Sequence, residues 1–257
     1  EYAAKGVAVI SNNSVHRWTP DVPMIIPEVN AHHVELIHFQ RKNRGWKNGF
    51  IAVKPNCSIQ SYVAILTALK QFKPVKVSVV SLQAISGAGK TFTTWPEMID
   101  NVIPFISGEE EKSEKEPLKI WGEIKDGQIK VANLPVISAS CIRVPVTNGH
   151  LASISVAFER KPTKEQILEA LKQYQSPIEY LHLPSAPKEF IRYCEEENRP
   201  QTKLDRDFEQ GMGITMGRLR EDPIYHWKFV ALSHNTVRGA AGGAILLAEL
   251  LKAKGYI

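Results

Sequence analysis

The sequence predicts a chain of mixed α/β and α+β class with a two-domain character, and three observations carry that prediction. The short apolar run Val7-Ala-Val-Ile10 has the composition of a strand buried on both faces. Ser138 to Val146 and Ala152 to Phe158 alternate apolar and polar residues with the two-residue period of a sheet. Ser58 to Gln71 and Lys164 to Gln173 repeat their apolar residues at helical spacing. Strands interleaved with helices in this way must pack as helix on sheet.

In chain order, Gly6 to Ile10 reads as a strand, Ser11-Asn-Asn-Ser14 as a polar turn, and Val22 to Ile26 as a second strand between prolines. No first strand, Gly-rich turn and helix of a doubly wound unit precede Val7. The first part of such a domain is therefore expected to be absent from the chain. Ile59, Val63, Leu66 and Leu69 mark a helix whose N-terminus falls at Pro55-Asn-Cys-Ser58. Val75 to Leu82 reads as a strand, Ser86-Gly-Ala-Gly89 as a tight loop, and residues 108 to 117, GEEEKSEKEP, as a solvated charged stretch. Lys125-Asp-Gly-Gln128 is a hairpin turn of the kind Asp-Gly favours. The alternating runs 138–146 and 152–158 are expected to pair with each other, and 164–173 to form an amphipathic surface helix. Lys228 to Leu232 reads as a strand, and the Ala-, Leu- and Ile-rich run Ala240 to Ala253 as a closing helix.

Composition excludes several classes. With 257 residues, 43% hydrophobic and 23% charged, the chain is neither collagen-like, disordered nor a disulfide scaffold. No run reaches the ~18 apolar residues of a membrane span, and the N-terminus lacks a secretory signal pattern. Cys57, Cys141 and Cys194 are odd in number and show no C-x-x-C spacing, which predicts a reducing, cytoplasmic setting and no metal ribbon. A net charge of +5 without a clustered basic helix is too dispersed for nucleic acid.

Four segments can carry chemistry. Cys57 at a helix N-terminus feels the positive end of the helix dipole, which favours thiolate, and Asn56 offers an amide donor for an oxyanion. A free cysteine also serves as a small buried hydrophobe. In Arg143-Val-Pro-Val-Thr-Asn-Gly-His150, an arginine fork suited to a carboxylate lies on a strand that leads to an imidazole able to exchange protons. A surface arginine and a turn histidine would have the same spacing. Gln83 to Gly89 is a strand running into a loop whose glycines permit close backbone approach to a ligand. Ser233-His-Asn-Thr-Val-Arg-Gly-Ala-Ala-Gly-Gly243 feeds a helix packed with small residues.

These pieces, in this order, resemble the aspartate-semialdehyde dehydrogenase family in the form typical of archaea, fungi and some bacteria. The resemblance extends over essentially the whole chain. It rests on Ser11-Asn-Asn-Ser-Val-His-Arg17, Asp21-Val-Pro-Met-Ile-Ile-Pro-Glu-Val-Asn30, Pro55-Asn-Cys-Ser58, Gln83-Ala-Ile-Ser-Gly-Ala-Gly89, Gly108-Glu-Glu-Glu-Lys112, Arg143-Val-Pro-Val-Thr-Asn-Gly-His150 and Leu232-Ser-His-Asn-Thr-Val-Arg-Gly-Ala-Ala-Gly242. It departs at Ile59 and Lys90, where the family often has threonine and an aromatic, and no G-x-G-x-x-G turn is present.

The resemblance implies the remainder of a Rossmann-type NADP-binding domain joined to a glyceraldehyde-3-phosphate-dehydrogenase-like catalytic domain on a mixed sheet. Its expected parts are residues 1–55 for the cofactor domain, 56–234 for the catalytic and dimerisation domain, and 235–257 for a helix returning to the first. The implied reaction is reductive dephosphorylation of β-aspartyl phosphate to L-aspartate 4-semialdehyde with NADPH, through a cysteine thioester, in lysine, threonine and methionine biosynthesis. By motif, Cys57 is the nucleophile, His150 the general acid/base and Gln83 the orienting amide. Arg143 would grip the substrate α-carboxylate, Glu116 its ammonium, and Arg17 with Lys119 its phosphate, with Asn56 beside them. Ser86, Gly87, Gly89 and Asn235 would border the nicotinamide. The family assembles as homodimers or homotetramers. Two alternatives share parts of this pattern: a malonyl-CoA reductase-like enzyme, which needs no phosphate pair, and a truncated, non-catalytic assembly partner.

Overall fold

The computed structural model describes residues 1–257. A parallel pair comes first: β1 (Ala8–Ser11) lies beside β2 (Phe50–Val53), with Val9 opposite Ile51. Between them run the turn α1 (Pro27–Asn30), with proline at its first position, and helix α2 (Leu36–Arg44), ended by Gly45 at φ +67°. Val22 to Ile26 does not form the expected strand. Pro20, Pro23 and Pro27 deny it a ladder, and only Met24 bridges to Val53. The apolar side chains of Met24, Ile25 and Ile26 are nevertheless fully buried.

Helix α3 (Gln60–Ala68) is buried almost all round, as its apolar content demands. Strand β3 (Pro74–Gln83) follows. Residues 109–120 then form helix α4 (Glu109–Ile120), where a solvated stretch was expected. The hairpin β4 (Glu123–Lys125) and β5 (Gln128–Lys130) turns through Asp126 and Gly127, both at positive φ. After it come β6 (Val136–Arg143), β7 (His150–Phe158) and α5 (Lys164–Lys172), whose start is fixed by a capping box between Thr163 and Gln166. The chain closes with β8 (Ile191–Cys194), α6 (Thr202–Asp205), β9 (Ile214–Glu221), β10 (Trp227–Ser233), a π-type turn (Val237–Ala241) and α7 (Gly242–Ala253).

The main sheet has the order β6-β3-β7-β10-β9-β8. β6 and β7, expected to pair, instead flank β3, β6 parallel to it and β7 antiparallel. Alternation identifies which side of a strand is buried but not its neighbour. One face of the sheet belongs to a 29-residue core shared with α3 and α5. The other presents Ser138 and Ser140, Ser78 and Val80, Ser155 and Ser153, and Lys228 and Val230, side by side and exposed or half-buried. A second core of 13 residues joins Ile25, Ala31, Val34, Ile37, Phe50 and Ala52 to four leucines of α7.

Helix α4 explains the glutamate cluster. Glu114 and Glu110 accept the free-edge N–H groups of Ala139 and Cys141 on β6, at 3.0 and 3.2 Å, so the edge is capped by carboxylates. Pro117 within α4 cannot donate to the Ser113 carbonyl, which accepts the Tyr62 hydroxyl of α3 at 2.7 Å instead.

Candidate active site

Several strands deliver their functional residues to one edge of the main sheet. Gln83 and Arg143 are opposite each other at the ends of parallel β3 and β6. Antiparallel β7 begins at that edge with His150, opposite Ser233 at the end of β10, and Asn235 follows two residues later. The segment Lys54-Pro-Asn-Cys57, between β2 and α3, meets this edge. It is held there by the π-type turn, where a Cβ on Gly239 would lie 2.6 Å from Cys57 Cβ.

Cys57 Sγ lies 3.4 Å from His150 Nε2. The other ring nitrogen, Nδ1, accepts the Ala84 N–H at 3.1 Å. A backbone N–H can only donate, so the neutral imidazole carries its proton on Nε2, facing the sulfur. Burial, and then the Arg143 charge, lower the His150 pKa to about 3, so the ring is neutral at physiological pH. The site thus holds His150 as a neutral hydrogen-bond donor facing the sulfur.

Burial, and then the Glu109 carboxylate, push the Cys57 thiol up to about 11. Against the expectation that a helix N-terminus favours the thiolate, α3 begins at Gln60, past Cys57, and burial disfavours the charged sulfur. Asn56 is likewise not free to serve an oxyanion. Its Nδ2 donates to both Glu109 oxygens at 2.9 Å, its Oδ1 accepts the Ser58 N–H at 2.8 Å, and its own N–H donates to Glu116 at 2.6 Å. It braces the turn that presents the thiol.

A cavity of about 390 Å³ opens beside the sulfur, with Arg17, Glu109, Lys112, Ser86, Gly87 and Asn235 among its lining residues. Glu109 accepts from Asn56, from Lys112 Nζ at 2.9 Å and from Gln83 Nε2 at 3.4 Å. Arg143 donates through Nη1 to the Ala84 carbonyl at 2.6 Å, and its guanidinium has no other protein acceptor. Arg143, Gln83 and His150 are all buried and none of them lines the cavity.

Glu116 and Lys119 do not reach the cavity. Glu116 pairs with Arg17 at 2.9 Å in a fully buried setting, where burial raises its carboxyl pKa despite the arginine. Lys119 Nζ spends its donors on the carbonyls of Arg17, Thr19 and Val22 at 2.5, 3.3 and 3.1 Å. The expected ammonium and phosphate ligands are therefore internal braces of the 17–22 loop. Arg17 does line the cavity, with its three nitrogens engaged by Lys54 O, Glu116 and Asn12 O. The residues that do face the sulfur, Glu109 and Lys112, repeat the Glu-x-x-Lys spacing two helical turns earlier on the same face. That repeat was the available signal.

Around the cofactor residues, Ser86 Oγ accepts from Asn235 Nδ2 at 2.9 Å, and Asn235 Oδ1 accepts the Gly149 N–H at 2.8 Å. The Ser86 hydroxyl proton and the second Asn235 amide proton remain unused at the cavity wall, which fits a carboxamide such as that of nicotinamide. Gly87 lines the cavity, and a Cβ there would lie 2.9 Å from Arg143 Nη1 and 3.0 Å from the His150 ring. Gly89, at φ +67°, closes the loop and lies outside the cavity wall.

Known proteins resemble this chain in sequence and in fold. The family described as "Semialdehyde dehydrogenase, dimerisation domain" matches residues 66–238. An aspartate-semialdehyde dehydrogenase of Archaeoglobus fulgidus is 47% identical over 98% of this chain and 71% of its own length. One from Aspergillus fumigatus is 41% identical over 100% of this chain and 73% of its own length. The crystal structure of the Candida albicans aspartate-semialdehyde dehydrogenase with NADP superposes with a TM-score of 0.88 at 37% identity, covering 100% of this chain and 74% of that one.

Proposed function

The chain belongs to the aspartate-semialdehyde dehydrogenase family, and from that premise we propose how its residues divide the reaction. The activity is NADP-dependent, phosphorylating oxidation and reduction at an aldehyde carbon, interconverting β-aspartyl phosphate and aspartate semialdehyde for lysine, threonine and methionine synthesis.

Cys57 Sγ attacks the acyl carbon of β-aspartyl phosphate. The carbon–oxygen bond to phosphate breaks, phosphate leaves with the electron pair and takes up the thiol proton, and a thioester remains on Cys57. NADPH, when held beside Ser86 and Asn235 at the cavity wall, would supply the hydride that reduces the thioester. His150 Nε2–H, 3.4 Å from the sulfur, donates a hydrogen bond to the oxygen that becomes anionic, and collapse releases the aldehyde and the Cys57 thiolate, which takes up a proton. Gln83 and Asn56 orient this centre through Glu109.

The substrate's charges are matched one by one. Arg143 takes the α-carboxylate with its free fork, Glu109 the ammonium, and Lys112 with Arg17 the phosphate. Ser86 and Asn235 are placed to hold the nicotinamide carboxamide, with Gly87 leaving the space beside it. Residues 1–55 and 235–257 form the cofactor-side unit around the smaller core, and 56–234 the catalytic unit. The matched region is a dimerisation domain, and the chain assembles with copies of itself. We assign the open, serine-rich face of the main sheet to a contact between two copies.

The contact between Cys57, at the wall of the cavity, and the buried His150 carries this reading. Its test is phosphate-dependent NADPH formation from aspartate semialdehyde. Cys57→Ala must abolish that activity while leaving the thermal transition in place, and turnover above about one per cent of the parent overturns the assignment. Retention of Glu109 and Lys112 beside the sulfur favours the aspartyl substrate over a CoA thioester, which carries neither an ammonium nor an acyl phosphate at the reacting end.

A further inference from the structure

Arg238 takes no part in the mechanism above, yet it is the largest of the fully buried side chains, at 1% exposure. Its Nε donates to the Met212 carbonyl, and Nη1 and Nη2 donate to the two carboxylate oxygens of Glu28 on α1, itself 1% exposed. The guanidinium lies over the Phe190 ring, 4.7 Å from its centroid. Burying such a pair costs desolvation that two apolar side chains of similar size would avoid. What the pair supplies in exchange is a fixed geometry.

Arg238 belongs to the Val237–Ala241 turn, in which the N–H groups of Gly239 and Ala241 donate five residues back, to His234 O at 3.0 Å and Thr236 O at 3.3 Å. A π-type turn is wider than an α-helical one, so it re-aims the residues it carries. The next residue, Gly239, meets the nucleophile. A Cβ there would lie 2.6 Å from Cys57 Cβ and 3.2 Å from Cys57 Cα, so the turn is the wall against which the cysteine side chain rests. Arg238, one residue away, ties that wall to α1 through Glu28 and to the chain at Met212.

We propose that Arg238, anchored on Glu28 and Met212, is a positioning residue for the nucleophile: it holds the Val237–Ala241 turn against Cys57 and so keeps Sγ 3.4 Å from His150 Nε2. This rests on the reading of Cys57 as nucleophile. Arg238 itself lies outside the cavity wall, whereas Gly239 and Cys57 are both on it. Without the tie the turn can withdraw, the Cys57 side chain gains rotamer freedom, and the sulfur loses its alignment with the reacting carbon. A misplacement of about 1 Å is enough to cost about a hundredfold in rate. Arg143, Glu109 and Lys112 stand on β6 and α4, apart from this turn, so the substrate's charged groups keep their partners.

The test replaces the pair rather than breaking it. In Glu28→Met/Arg238→Met both charges leave together, so neither stays buried and unpaired, and the thermal transition should remain close to the parent's. In that variant kcat for phosphate-dependent NADPH formation should fall at least about tenfold, with KM for aspartate semialdehyde and phosphate within about twofold of the parent's. The second readout needs no turnover: alkylation by N-phenylmaleimide, followed at each cysteine by mass spectrometry on the full chain. Cys57 should react at least about fivefold faster than in the parent, while Cys141 and Cys194 keep the parent's rates, as a local opening requires. Arg238→Lys, which keeps the charge and can reach one Glu28 oxygen, should fall between the two in both readouts, and it decides the matter should the double variant not fold. Parent-like kcat and Cys57 labelling in the folded variant overturn the proposal. So does a rise at all three cysteines together, which marks a general loosening of the fold. Labelling reads the setting of the thiol rather than its chemistry, so activity retained by Cys57→Ala would remove the nucleophile reading and leave the labelling result standing.

Discussion

His150 turns its protonated nitrogen toward Cys57 because the Ala84 N–H occupies the other nitrogen, and the resulting Nε2 to Sγ separation is 3.4 Å. The relationship separates two steps that a dual-purpose histidine would join. His150→Gln should still form the thioester from β-aspartyl phosphate, detected as an acyl adduct by intact mass. It should lose about 10²- to 10³-fold in kcat for aldehyde formation, the usual cost of losing one donor to a developing oxyanion. A variant that fails to acylate would return the base role to His150.

Two glutamates two turns apart on α4 should respond differently to the same change. Glu109→Gln removes a charge that faces the cavity and should lower kcat/KM about 30- to 1000-fold, or about 2–4 kcal/mol of transition-state binding, with little loss of stability. Glu116→Gln leaves Arg17 buried without its counter-charge. That should cost about 3 kcal/mol in unfolding free energy before any effect on KM. Denaturant midpoints and steady-state kinetics on both variants decide between the two helical positions.

That pair also shows how far the site was legible from sequence. The residues set by strand ends were readable: Gln83, Arg143, His150 and Asn235 lie at one sheet edge because β3, β6 and β10 end where β7 begins. A strand period fixes which side each residue faces, and the motifs fix their order. What could not be read was which turn of α4 faces the sulfur, because Glu-x-x-Lys occurs twice at a spacing that keeps both copies on one side. Nor could alternation reveal that β6 and β7 flank β3, since pairing is decided by long-range packing. The charged run 108–117 looked solvated because its partners, Arg17, Asn56 and the N–H groups of β6, are distant in sequence.

Acid should destabilise the fold through its buried histidines. Burial lowers the pKa of His33 to about 4, and burial with Arg143 lowers that of His150 to about 3, both from 6.5. The folded state therefore binds fewer protons than the unfolded one. The stability each contributes is complete above pH 6.5 and is lost progressively as pH falls toward the folded values. Between pH 6.5 and 5 each should cost about 2 kcal/mol. Glu116, whose carboxyl is raised by burial, acts in the opposite sense, so the comparison is made by difference. Urea midpoints of His33→Gln should show about 2 kcal/mol less acid loss than the parent over that window, and equal losses would remove His33 from the account.

Gly87→Ala should impair catalysis more than folding. The added methyl would press on Arg143 Nη1 at 2.9 Å and on His150 at 3.0 Å, displacing two groups whose alignment matters to tenths of an ångström. The loop itself is exposed and can yield. A kcat loss of about tenfold or more with an unfolding midpoint close to the parent's is expected. Unchanged kinetics would mean that the loop moves away and that Arg143 and His150 keep their places.

Arg143 provides the most direct test of how the substrate is held. Its guanidinium gives one nitrogen to the Ala84 carbonyl at 2.6 Å and keeps the rest for a ligand, in a position where burial lowers its pKa and Glu109 and Cys57 counter that fall. Lysine in its place would carry the same charge but could not hold Ala84 and present two parallel bonds to a carboxylate together. Because Ala84 also supplies the N–H that fixes the His150 tautomer, the exchange should disturb catalysis as well as binding. Arg143→Lys should therefore lose about 30- to 1000-fold in kcat/KM, equivalent to about 2–4 kcal/mol, with both kcat and KM affected. Steady-state rates for the parent and the Lys variant measure this. A variant within a factor of about three of the parent would make Arg143 a brace for Ala84 alone and place the substrate carboxylate elsewhere in the cavity.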